Sequence, residues 1–234
     1  MNIIEDSIEI DGQKLTLQTG KLANQATTSI FARLGDTCVL VTVTVGNERE
    51  DIDYFPLQVE YVEKLYAGGR IKGSRWVKRE GRPSDDAVLK ARLIDRSIRP
   101  LFPPGYRKEV QVIITLMSVD GVNSPEILSA IATSAALHVS PIPWLGPLST
   151  LRIGYVKGEG KGNFLINPTQ EEEIYSLLDL IVSSTKDKVV MIETEAEELT
   201  EDVVYEAIQL AKKENKTIIK FIEKLAEKVG NTKE

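Results

Sequence analysis

The stretch SIEIDGQKLTLQTG, residues 7–20, constrains the fold most strongly. Apolar and polar residues alternate on both sides of Asp11-Gly12. A period of two places one apolar face on each flank, and Asp-Gly supplies the backbone angles that a two-residue hairpin loop requires. Such a hairpin is only marginally stable by itself, so its apolar face needs further strands or a helix. The run TSIFARLGDTCVLVTVTVG, residues 28–46, repeats the pattern and predicts a second hairpin turning near Gly35-Asp36. FPLQVEYVEK, residues 55–64, then alternates like a half-buried strand.

Helical signals alternate with strand signals beyond this point. Pro83-Ser84-Asp85-Asp86 predicts a helix start, with Ser84 as cap and the aspartates favoured by the helix dipole. Ala87, Ala91, Ile94 and Ile98 recur at helical spacing and are expected in the core, whereas Arg92, Arg96 and Arg99 form a stripe on another face. Like charges at this spacing repel by a few tenths of a kcal/mol per pair unless something negative meets them. VQVIITLMSV, residues 110–119, reads as a strand covered on both sides. In NSPEILSAIATSAALHVS, residues 123–140, Ser124 is the expected cap, Pro125 suits the first turn, and Ala and Ser permit close packing. LRIGYV and NFLINP flank a glycine-rich turn that lacks the lysine-serine ending of a phosphate loop, so a hairpin is the better reading. DLIVSSTKDKVVMIETEA, residues 179–196, supplies two more strands. A helix is expected from Thr200 to about Lys213, completed by the amphipathic TIIKFIEKLAEKV. No low-complexity linker interrupts the chain, so the expectation is one α+β domain over residues 1–234 with a helical tail at about 200–230.

Composition excludes several classes. The 234 residues include 42% hydrophobic and 27% charged, enough for a sizeable core. No apolar run approaches the ~20 residues needed to span a bilayer, and the acidic start MNIIEDSIEI is unlike a secretory signal, so a cytoplasmic protein is expected. Cys38 is the one cysteine and reads as a buried thiol, which leaves neither a disulfide nor a cysteine metal cluster. His138, the one histidine, reads as a packed or capping residue.

Charge is unevenly placed. The net charge is −6, yet Lys64 to Lys108 holds 13 Lys and Arg against 4 Asp and Glu, a balance of +9. From Glu171 onward there are 9 against 16, or −7. A segment this basic in an acidic chain suits a polyanion such as RNA. The glycine-rich LYAGGRIKGSRWVKREGRP is too polar for a core element and reads as an exposed loop. Trp76 there is either a stacking platform for a base, with Arg75, Lys78, Arg79 and Arg82 meeting phosphates, or an anchor folded onto the core.

Seven strings, in order, carry a resemblance: LTLQTGKLANQA, GDTCVLVTV, DYFPLQVEYVEKLYAGGRI, KREGRPS with RLIDRSIRPLFP, EVQVI and INPT. Together they resemble the first RNase PH-like domain of the bacterial polynucleotide phosphorylases, from about Ile8 to Leu225. The resemblance implies an RNase PH-like α+β fold that assembles into a homotrimer ring. It also implies phosphorolytic degradation of RNA from the 3′ end to nucleoside diphosphates, with inorganic phosphate as co-substrate and Mg²⁺ as cofactor. Full chains of that family carry a second such domain. The family's RNA-gripping loop of two phenylalanines and two basic residues falls on Trp76, Val77, Lys78 and Arg79, and its phosphate-associated helix falls on Arg92 to Arg99, with Arg92 the first phosphate candidate. Arginine suits both tasks because its planar fork binds two oxygens and keeps its charge.

In the family's active domains, two aspartates six residues apart precede a strand beginning with Asp. Registered on Asp179, those positions fall on Asn167 and Glu173, one carboxylate having become an amide. The resemblance therefore implies degenerate catalytic positions and no metal site in this domain, in keeping with a family whose first domain lacks the active site. The run Glu171-Glu172-Glu173 also reads as a solvated helix start. Two functions stay open: the RNA-guiding part of a phosphorolytic exoribonuclease completed by a second RNase PH-like domain, or a stand-alone single-stranded RNA-binding scaffold.

Overall fold

The structure, a computed structural model, describes residues 2–10, 12–48, 52–71, 82–158 and 162–233. Arg75, Trp76, Lys78 and Arg79 lie outside the described residues.

Both hairpins form where the turn signals stand. β1 (Ile4–Ile10) pairs antiparallel with β2 (Gln13–Thr19), Ile10 opposite Gln13, and Gly12 takes φ +72°. β3 (Thr28–Leu34) pairs with β4 (Thr37–Glu48), Leu34 opposite Thr37. At that turn Gly35 has φ +59°, and a Cβ there would stand 2.7 Å from the Asp120 carboxylate, so both backbone angle and space call for glycine. β5 (Leu57–Val62) lies at the sheet edge, parallel to β6 (Lys108–Ser118), giving the order β1-β2-β3-β4-β6-β5. A parallel pair needs a long crossover, and α1 (Asp85–Ile98) lies in it. Ser84 caps α1 by accepting a hydrogen bond from the Ala87 amide at 3.0 Å, and Ala87, Ala91, Ile94 and Ile98 are buried.

The second sheet has the order β10-β9-β7-β8, all antiparallel. Its strands are β7 (Ser149–Val156), β8 (Asn163–Ile166), β9 (Leu178–Ser184) and β10 (Val189–Ala196). α2 (Pro125–Val139) is buried at nearly every position and packs against β3, β4 and β6 of the larger sheet, β7 of the smaller, and α4 (Glu201–Val229). A helix apolar all round belongs in the centre of a core. The main hydrophobic cluster accordingly takes Leu15, Val41 and Ile114 from one sheet and Leu151, Ile181 and Met191 from the other. Among the described residues, no helix is long and apolar enough to cross a membrane.

Four local expectations need correction. β6 is not fully covered on both sides: Val110, Val112, Ile114 and Leu116 are buried, while Gln111, Ile113 and Thr115 are only half-buried. Cys38 of β4 lies on a similarly half-covered face, so its thiol is half-buried, and desolvation raises its pKa. Ser124 precedes α2 as expected but makes no side-chain cap bond. The C-terminal helical signals fuse into one 29-residue helix, because the polar stretch between them contains no breaker and buries Asn215, which donates to Val182 O at 3.3 Å and Ser184 Oγ at 3.0 Å.

Candidate functional site

The arginine stripe of α1 is not three equivalent groups. Arg99 is half-buried and donates from Nε and Nη2 to the two oxygens of Asp95, both at 2.8 Å. It also donates to the carbonyls of Phe55 (3.2 Å) and Leu57 (3.1 Å), pinning α1 to the start of β5. Arg96 reaches Glu193 of β10 at 2.7 Å and ties α1 to the second sheet. Arg92 is exposed and makes no ion pair among the described residues. It lines an open groove of about 470 Å³ with Val59, Tyr61, Val88 and Asp95. Arg82 is exposed just ahead of the Ser84 cap.

Asn167 and Glu173, the positions expected to be degenerate catalytic ones, meet on a single arginine. Asn167 follows β8 with φ +48°, a left-handed conformation that asparagine tolerates better than most residues. Its amide donates to Arg152 O at 2.7 Å, and its side-chain oxygen accepts from Arg152 N at 3.1 Å. The amide side chain therefore extends the ladder opposite β7, and its oxygen is already engaged. Glu173 ends α3 (Gln170–Glu173), which opens with a capping box: Thr169 Oγ1 accepts from the Glu172 amide at 3.3 Å, and Glu172 accepts from the Thr169 amide at 2.8 Å. The Thr169 amide and hydroxyl both donate to the Glu172 carboxylate and lower its pKa, while Glu171 stays exposed. Glu173 turns inward and accepts from Arg152 Nη1 at 2.5 Å.

Arg152 is 85% buried by side chain, and two further carboxylates face it: Glu126 of α2 at 3.1 Å and Asp179 of β9 at 3.2 Å. The Asp179 contact is ionic, since Nε lacks an aligned hydrogen bond. Burial opposes the charge on Arg152, but Glu126, Asp179 and Glu173 outweigh it and raise its pKa. Asp179 is itself pushed up, chiefly by burial, which the attraction of Arg152 only partly offsets. The adjoining cleft, about 510 Å³, is lined by five carboxylates and two cations. The second cation, Lys90, pairs with Asp86 at 2.5 Å and lies 5.6 Å from the Tyr61 ring centre. A cleft of this balance repels phosphate.

Mg²⁺ asks for about six oxygens in near-octahedral array. Here the Asn167 oxygen is engaged by a backbone amide and Glu173 by a guanidinium that would itself repel the ion. Among the described residues no group of three His, Cys, Asp or Glu side chains is disposed to hold a metal. The residues at this corner do not fit Mg²⁺. The Arg152 cluster was missed in the sequence, although an arginine inside the apolar LRIGYV and a glutamate inside the apolar α2 were both signals, since buried charges are found paired.

Residues 11–143 match the profile of the 3′ exoribonuclease family, domain 1, and residues 146–214 match that of domain 2. The chain belongs to the 3′ exoribonuclease family. Within it, the chain is similar to polyribonucleotide nucleotidyltransferases. That of Halalkalibacterium halodurans is 48% identical over 229 residues, 98% of this chain and 32% of that protein. That of Halothermothrix orenii is 48% identical over 227 residues (97% and 32%), and that of Alkaliphilus oremlandii 49% over 227 residues (97% and 31%). The chain thus spans about a third of the length of these relatives. The crystal structure of rice (Oryza sativa) Rrp46 shares the fold at TM-score 0.70 and 16% identity, covering 91% of this chain and 94% of that one.

Proposed function

We propose that this chain is the RNA-guiding, ring-forming part of a phosphorolytic 3′-to-5′ exoribonuclease, acting on RNA and inorganic phosphate to release nucleoside diphosphates. Its active site is completed by another RNase PH-like domain, in a cytoplasmic homotrimer ring that uses Mg²⁺ there. The observation that carries this reading is the engagement of both catalytic-equivalent positions, Asn167 and Glu173, by Arg152 within an otherwise intact family fold. The two sheets sharing α2 act as one domain.

In this reading Arg75, Trp76, Lys78, Arg79 and Arg82 guide the strand. Arg92, which has no ion-pair partner among the described residues, is the leading phosphate contact. Arg96 joins it by exchanging Glu193 for phosphate, and Arg99 supports the helix on which both stand. The test is phosphate-dependent release of nucleoside diphosphates from a labelled oligoadenylate with Mg²⁺, with RNA binding followed in the same tube. Binding without release by the chain alone, and release once a second RNase PH-like domain with both aspartates is added, is the expected pattern. Release by the chain alone, lost in Glu173→Gln, would overturn it.

A further inference from the structure

We propose that Arg152 is a built-in cation standing where a divalent metal would otherwise be held, so that it closes this corner to metal ions. The inference rests on the reading of Asn167 and Glu173 as the catalytic-equivalent positions. It goes beyond their degeneracy by assigning a role to a residue outside the pair.

Geometry carries the assignment. Three carboxylates reach the guanidinium from three separate elements: Glu126 from α2 at 3.1 Å, Glu173 from α3 at 2.5 Å and Asp179 from β9 at 3.2 Å. Glu126 is buried, Glu173 half-buried and Asp179 exposed, and all three converge on a guanidinium that is itself largely covered. Carboxylates brought this close stay ionised side by side only with a cation between them. A hard divalent ion would answer that requirement with oxygen ligands alone. This chain answers it covalently: the arginine is delivered by β7, the strand that Asn167 grips through both its backbone amide and its side-chain oxygen. Asn167 is thus a positioning residue for Arg152 and not merely a ligand lost. An aspartate there could not keep the same arrangement without adding a fourth charge.

With Arg152 in place the three carboxylates sit on three different guanidinium nitrogens and, like every other such group among the described residues, are not disposed to hold a metal. Removing the cation should free them to close on a hard ion. The experiment titrates the whole chain with Mn²⁺, in the absence of RNA and phosphate, following free Mn²⁺ by electron paramagnetic resonance and thermal stability in parallel. Wild type and Arg152→Lys are expected to take up no stoichiometric Mn²⁺. Arg152→Ala should be destabilised in chelator and recover with one saturable Mn²⁺ per chain, and adding Glu173→Gln should abolish that recovery. Stoichiometric Mn²⁺ on wild type, lost in Glu173→Gln, would refute the role of Arg152. So would an Arg152→Ala chain that binds no Mn²⁺ or stays unfolded at saturating Mn²⁺. Phosphorolysis by the chain alone would instead sink the functional reading, and it is measured separately from this binding.

Discussion

Asp120 offers the sharpest test of how the fold holds its turns. Its carboxylate accepts six hydrogen bonds: from Asp36 N (3.1 Å), Thr37 N (3.2 Å), Thr37 Oγ1 (2.9 Å), Val122 N (2.9 Å), Asn123 N (2.9 Å) and Asn123 Nδ2 (2.7 Å). It thereby joins the β3–β4 turn to the loop entering α2. Although burial opposes its charge, the bonds from Asn123, Val122 and Thr37 prevail and hold its pKa well below the usual carboxylate range. Asp120→Ala removes all six acceptor contacts at once. Water can replace those at the exposed turn, but Thr37 is fully buried and its two donors are stranded. At about 1–3 kcal/mol for each stranded group, the expected loss is about 3 kcal/mol. For a chain of this size that is a fall in Tm of about 6–12 °C. Urea unfolding should show a lower midpoint with unchanged slope. Because the folded pKa is depressed, the stabilisation is full above the unfolded value of about 3.9 and fades as pH falls toward the folded one. Asp120→Asn should therefore differ from wild type at pH 7 and converge on it in acid. A loss under about 0.5 kcal/mol, or a difference independent of pH, would refute the reasoning.

Arg79→Ala should weaken binding to single-stranded RNA of any sequence and lower the slope of log affinity against log salt by roughly 0.7, and an unchanged slope would remove the loop from the RNA path. Asn167→Ala should cost about 1–3 kcal/mol in chemical unfolding, since alanine loses the bond to Arg152 N and must adopt φ +48°. His138 has its pKa lowered to about 4 by burial and by Lys233, so it should titrate near that value by NMR. A base whose folded pKa is depressed is protonated first in the unfolded chain. His138→Leu should therefore flatten the loss of stability between about pH 6.5 and 4, and a titration near 6.5 would contradict the burial argument.

Much of the fold was legible because its punctuation is local. Asp11-Gly12, Gly35-Asp36 and Ser84 act within a few residues of themselves, and the small and apolar face of α1 follows from spacing alone. Coverage of a strand's second face is a tertiary fact, which is why β6 and Cys38 were misjudged. The corner was half legible. Its two degenerate positions followed from the resemblance, but Arg152, Glu126 and Asp179 come from β7, α2 and β9, and no spacing rule joins them. The arginine stripe was read as one face with one purpose, yet Asp95 and Glu193 divide it into an anchor, a tie and an uncommitted charge.

α2 has almost no outer side, only Pro125 and His138 being half-buried. Its Ala130, Ala132, Ala135, Ala136 and Ser134 are all buried, and these small side chains let both sheets approach the helix axis. They work as a gauge block, fixing the clearance between the sheets in units of a methyl group. Glu126 is carried on that same helix, so the clearance also sets how far its carboxylate stands from Arg152. A bulkier residue on the gauge would show itself a turn or two away, as a loosened ion pair rather than as a swollen core.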